Sequence, residues 1–209
     1  MKTFCLRALS IVILGLAQAT VLATQPVHSK TLAPTLKKVM PAVVHIAVQG
    51  NPFWLRSNIQ SKQAPSSKTE PLHQHPKQQI GSGVILNAKE GTIVTNAHLV
   101  FKAHNIIVTL KDGRHFIGHL VGLDTATDLA VIRIKPNQLS SIVQAKHPVH
   151  VGDFVIAVGS PFGLTQSVTS GIVSGIQRHL GIEGIENFIQ TDASINPGNS
   201  GGALVNQTG

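Results

Sequence analysis

Cysteine is almost absent from this chain: Cys5 is the single one among 209 residues. One cysteine excludes a disulfide framework and a CxxC pair. Because Cys5 lies in the N-terminal segment that reads as a signal peptide, the mature chain would have no thiol for a cysteine nucleophile, which suits an oxidising compartment without demonstrating one. Cys5 also precedes the first apolar run instead of following it, so it is not placed to carry a lipid. Charge is sparse as well, at 12% of residues. With 42% hydrophobic residues, little suggests disorder, and there is material for a substantial core in one or two compact domains. The net charge is +8, but apart from Lys37-Lys38 the lysines and arginines are scattered. No nucleic-acid stripe results, and no clustered patch for an anionic membrane.

Long hydrophobic runs are missing too. The apolar stretch 8–16 is too short for a comfortable membrane span. With Lys2 and Arg7 before it and small residues after it, at Ala17-Gln18-Ala19 or Val21-Leu22-Ala23, it reads as a signal peptide over 1–23. A retained signal anchor is the other reading of the same run. Residues 24–40 form a lead segment, amphipathic and helical from about Lys30 to Met40 and ended by Pro41. Residues 51–79 carry Pro52, Pro65, Pro71 and Pro76 with no sustained apolar period, and read as a long loop.

What the chain has instead is short apolar runs separated by turns. Strands are expected at 43–48, 80–86, 93–96, 106–110, 116–123 and 129–134, with Lys111-Asp112-Gly113-Arg114 as a hairpin turn. After a polar connection, a second series is expected at 154–158, 167–176, 188–191 and 203–205. The most informative stretch is Asn196-Pro197-Gly198-Asn199-Ser200-Gly201-Gly202. Glycines on both sides of a serine let the backbone turn sharply and point N–H groups inward, which suits a nucleophile beside an oxyanion hole. Taken alone, the string is equally an ordinary glycine-rich turn.

Two upstream segments decide between these. His98 sits in Thr95-Asn96-Ala97-His98, where a β-branched run ends, and Asp128 opens the apolar run 129–134. Histidine, aspartate and serine thus occur in the order of a chymotrypsin-like triad, whereas α/β-hydrolases run Ser, Asp, His and subtilisins Asp, His, Ser. A serine hydroxyl is a poor nucleophile at neutral pH and needs a base whose proton affinity lies near 7. Among eleven histidines only His98 has the TNAH context. Asp124, four residues before Asp128, is the competing acid. His73-Gln74-His75 has no ligand-like carboxylate or thiol nearby, so no metal site is read there.

The chain resembles the HtrA or Deg proteases of bacterial envelopes and organelles. The strings that carry the likeness are GSGVIL (81–86), TNAHLV (95–100), DLAVIRI (128–134), GSPFGLTQSVTSGIVSGI (159–176) and NFIQTDASINPGNSGGALVN (187–206). The resemblance implies an all-β, chymotrypsin-like double β-barrel over 41–209, with a first barrel at about 41–136 and a second at about 148–209. It implies a serine endopeptidase with His98, Asp128 and Ser200 as the triad, and Gly198, Asn199 and Ser200 around the oxyanion hole. It aligns the acid directly before the L-A-V-I run, favouring Asp128 over Asp124. It needs no cofactor.

The same resemblance implies misfolded envelope proteins as substrates, a homotrimer, a periplasmic location, and contacts from Phe53 and Trp54 in an inserted loop, which otherwise read as an incidental aromatic pair. Arg178 falls where the family has a regulatory loop arginine, although His179-Leu180-Gly181 departs from that pattern and a solvated arginine is the other reading. The family continues past the serine with further strands and one or two PDZ domains. Here Gly209 follows soon after Ser200, so the second barrel is expected to be incomplete and no PDZ domain present. A truncated, catalytically impaired fragment or a chaperone-like binding remnant is the alternative function.

Overall fold

The structure, a computed structural model, describes residues 31–50, 78–160, 166–181 and 184–209. The segment 1–23 read as a signal peptide, with Cys5, the start of the segment read as a lead, and the stretch read as a loop, with Phe53, Trp54, His73 and His75, lie outside the described residues.

The lead segment forms helix α1 (Ala33–Val39), with a proline in its first turn where the missing N–H costs nothing. A 3-10 turn, Met40–Ala42, contains Pro41 and feeds directly into the first strand. The expected helix and its end at the proline therefore both form. Six antiparallel strands follow: β1 (Val43–Gly50), β2 (Gln78–Asn87), β3 (Thr92–Asn96), β4 (Ala103–Thr109), β5 (His115–Asp124) and β6 (Leu129–Arg133). They close into a barrel in the order β1-β2-β3-β6-β5-β4.

Alternation of side chains across the pleat explains the closure. In β3, Ile93 is fully buried, and in β6 Ala130 and Ile132 point inward while their neighbours face outward. Val44, Ile46, Ile85, Ile93, Val108 and Ile132 meet in one core. Each such side chain contributes roughly 1.5–3 kcal/mol when fully buried.

The second series gives β7 (Phe154–Gly159), β8 (Ser167–Arg178), β9 (Phe188–Thr191) and β10 (Ala203–Val205). They form a four-stranded sheet ordered β10-β7-β8-β9, a half-barrel that does not close. The architecture is thus the chymotrypsin-like double barrel with its second barrel incomplete. Val39 and Val43 pack with Ile156, Val158 and Val205, so the start of β1 is sealed against the second sheet. The connection is also anchored at Ile142, whose N–H donates to the Ile85 carbonyl at 3.0 Å.

Candidate active site

β3 ends at Asn96, and a single helical turn, α2 (Ala97–Val100), carries His98. This turn is absent from the strand pattern read in the sequence. The Ala97 N–H still donates to the Asp128 carbonyl at 3.0 Å, the next position in the β3–β6 register, and the turn then closes through the Phe101 N–H to the Ala97 carbonyl at 2.9 Å. Ala97, Leu99 and Val100 are buried, which leaves the His98 imidazole about half exposed.

Asp128 closes the turn between β5 and β6 with φ of 52°. A non-glycine residue there is uncommon, costs of order 1–3 kcal/mol and persists only where its surroundings impose it. Four hydrogen bonds besides the His98 imidazole contact supply that constraint. The Asp128 carbonyl accepts from the Ala97 N–H at 3.0 Å and from Asn96 Nδ2 at 3.1 Å. Its carboxylate accepts from Asn96 Nδ2 at 2.9 Å and from the His98 N–H at 2.8 Å.

Asp128 Oδ2 lies 2.7 Å from His98 Nδ1. A carboxylate only accepts, so Nδ1 carries a proton in that contact, and the tautomer of the neutral ring that this contact selects has its lone pair on Nε2. Asp124, the competing acid, is committed elsewhere. Its carboxylate accepts from the Ala126 N–H at 2.9 Å and from Thr127 Oγ1 at 2.8 Å, and these bonds hold it below the usual carboxylate range. Asn96 is a residue whose part was not read in the sequence, although it stands inside the TNAH string.

The serine turn is pressed against the same strands. The Ser200 carbonyl accepts from the Ser82 N–H at 2.8 Å. A Cβ placed on Gly81 would stand 3.1 Å from that carbonyl and would collide with Leu99, the residue after His98. Gly201, at φ of 80°, backs onto the Ser82 carbonyl and Thr95 Oγ1 with no room for a side chain. Thr95, just before the turn that carries His98, thus meets Gly201, and Leu99, inside that turn, meets Gly81 beside the Ser200 carbonyl.

Gly198 adopts φ of 96°, and the Asn199 N–H donates to the Asn196 carbonyl at 3.0 Å, making the tight turn expected of this stretch. Asn199 Oδ1 is enclosed against Gly159 and has no hydrogen-bond partner among the described residues.

Arg178 lies apart from this cluster, at the end of β8. Its Nε donates to Gln190 Oε1 at 3.1 Å across to β9, and its guanidinium lies against Gly175 at a shift in the strand register. Among the described residues no group of His, Cys, Asp and Glu side chains is arranged to hold a metal ion.

The profile of the trypsin-like peptidase domain family matches residues 81–209. The chain is 46% identical over 189 residues to the periplasmic pH-dependent serine endoprotease DegQ of Escherichia coli K12, covering 86% of this chain and 40% of DegQ. To the periplasmic serine endoprotease DegP of the same strain it is 43% identical over 220 residues, covering 92% of this chain and 46% of DegP. A solved structure of the HtrA-type protease AlgW with a tripeptide superposes with a TM-score of 0.70 at 38% identity, over 85% of this chain and 51% of that one. The chain spans less than half the length of these two endoproteases.

Proposed function

From the premise that this chain belongs to the trypsin-like peptidase family and is strongly homologous to the HtrA proteases DegP and DegQ, we propose that it is a serine endopeptidase whose triad is His98, Asp128 and Ser200. The observation that carries the reading is the Asp128 carboxylate, bound at once to the imidazole Nδ1 and the backbone N–H of His98. Two bonds from one carboxylate fix both the place and the tautomer of the ring.

His98 Nε2 then takes the Ser200 proton as the hydroxyl attacks a peptide carbonyl, and later gives it to the leaving amine. Asp128 holds the tautomer and stabilises the imidazolium between those events. The tetrahedral oxyanion receives hydrogen bonds from the backbone N–H groups of Gly198 and Ser200, with Asn199 between them. A water that His98 Nε2 deprotonates then attacks the acyl group, which leaves as the acid while the proton returns to Ser200 Oγ. Besides water, every step uses side chains and backbone of the chain alone.

The substrates in this reading are unfolded or misfolded proteins of the bacterial envelope, and the location is the periplasm, as it is for the relatives DegP and DegQ by name. Among the described residues no helix is long and apolar enough to cross a membrane. We assign 41–209 as the protease domain, homotrimeric assembly as in HtrA-type proteases, and to Arg178 the regulatory role that the family's loop arginine plays. The test is proteolysis of casein by the purified protein and by Ser200→Ala. The variant is expected to keep the wild-type circular dichroism spectrum and to lose cleavage; retained cleavage would remove Ser200 as nucleophile.

A further inference from the structure

Ser82 lies in β2, fully buried, and all its polar groups are engaged. Its N–H donates to the Ser200 carbonyl at 2.8 Å, and its carbonyl accepts from Thr95 Oγ1 at 2.7 Å. Its hydroxyl donates to the Gly198 carbonyl at 2.6 Å and accepts from the Ser160 N–H at 2.7 Å. Ser160, buried directly after β7, is held from its other side as well, because His45 Nδ1 donates to its carbonyl at 2.7 Å. His45 is the strand partner of Ser82 across β1 and β2. One hydroxyl therefore joins the first barrel, the end of β7 and the serine turn.

The barrel itself does not need that hydroxyl. β2 is paired by its backbone to β1 on one side and to β3 on the other. The serine turn does need it. Gly198, at φ of 96°, has little intrinsic preference for the direction of its carbonyl, so an external bond must set it. Ser82 holds the carbonyls of Gly198 and Ser200, one on each side of Asn199, and so fixes how the peptide planes between them are turned. Of these, the Asn199–Ser200 plane carries the Ser200 N–H, one of the two that face a developing oxyanion, while the Gly198 N–H lies in the plane just before the held Gly198 carbonyl.

We propose that Ser82 is a positioning residue for the oxyanion hole, its hydroxyl fixing the Gly198 carbonyl and tying the serine turn to the second sheet through Ser160. This rests on the reading of Ser200 as nucleophile. A donor that is misaimed by about 1 Å forfeits about 10²-fold in rate, and loss of a whole oxyanion donor costs about 10²–10³-fold.

The experiment compares the purified wild-type protein with Ser82→Ala and Ser82→Cys. The cysteine variant keeps the side chain's shape with a slightly larger, weaker donor, and serves if the alanine variant does not fold. Three quantities are read: the rate of phosphonylation by a fluorophosphonate, kcat and KM on a fluorogenic peptide, and amide hydrogen exchange. For Ser82→Ala, phosphonylation and kcat are expected to fall about 10–100-fold, with KM within about twofold and Ser82→Cys in between.

Exchange should rise over 196–202 while β1 and β3 stay protected. Unchanged rates with unchanged exchange would overturn the proposal, as would a rise spread evenly through the barrel, which marks a role in packing alone. If the wild type itself takes no fluorophosphonate, the protease reading fails separately. Exchange alone then decides on Ser82, a local rise supporting it and no rise overturning it.

Discussion

Two aspartates four residues apart show how local geometry divides labour between identical side chains. Asp124 folds back on its own turn, whereas Asp128, forced to positive φ, turns its carboxylate to His98. In the protease reading, Asp128→Asn is expected to lower kcat about 10³–10⁴-fold, because an amide no longer enforces the required tautomer. Combining it with His98→Ala should cost little beyond His98→Ala alone, since the residues act as a unit. Additive losses in that cycle would argue against a shared mechanism.

Asp124→Ala should leave cleavage within about twofold but lower the melting temperature at pH 7. The Asp124 carboxyl sits below its ordinary value of 3.8 because backbone and hydroxyl donors favour the ionised form. A depressed value means that stabilisation is fully present above 3.8 and fades as pH falls through the lower, folded value. Calorimetry from pH 7 downward should therefore show the gap between wild type and Asp124→Ala closing in strong acid. A gap that persists there would contradict the assignment.

At the scale of elements, the strands were legible and the joints between them were not. Every strand read from apolar alternation forms within about three residues of its expected ends, because inward and outward positions differ strongly along β3 and β6. The helical turn α2 was hidden, since four residues, Ala97-His98-Leu99-Val100, are too few to show a helical period. The contributions of Asn96 and Ser82 were hidden for a different reason: each depends on a hydrogen bond whose partner is more than thirty residues away.

His98 and Asp128, which the structure brings together, each stand in a short string at a strand edge, as Ser200 does. The serine turn is where this packing can be tested by a single substitution. Gly201→Ala must adopt φ of 80° and push a methyl into the Ser82 carbonyl. It is expected to cost of order 1–3 kcal/mol in urea denaturation and to abolish cleavage. Gly122→Ala, where an added Cβ meets nothing within 4 Å, serves as control and should be near neutral. Equal effects at the two sites would refute the close packing of the turn against β2 and β3.

Across the molecule, the two sheets differ in how completely they satisfy themselves. The first barrel has no free edge, while the second sheet ends in β9 and β10 and leaves Ile172, Ile176, Phe188, Ile189 and Leu204 exposed. Amide exchange in this chain should accordingly be slowest in β1, β2, β3 and β6 and markedly faster in β9. Uniform protection would mean that the second sheet is completed by something further. The serine turn bridges the two sheets, so the site depends on both, and its chemistry is the central claim. The most direct measurement is labelling of the purified protein with a fluorophosphonate followed by mapping of the adduct by mass spectrometry. The account predicts an adduct on Ser200 that His98→Ala loses; an adduct on another serine, or labelling of His98→Ala at the wild-type rate, would contradict it.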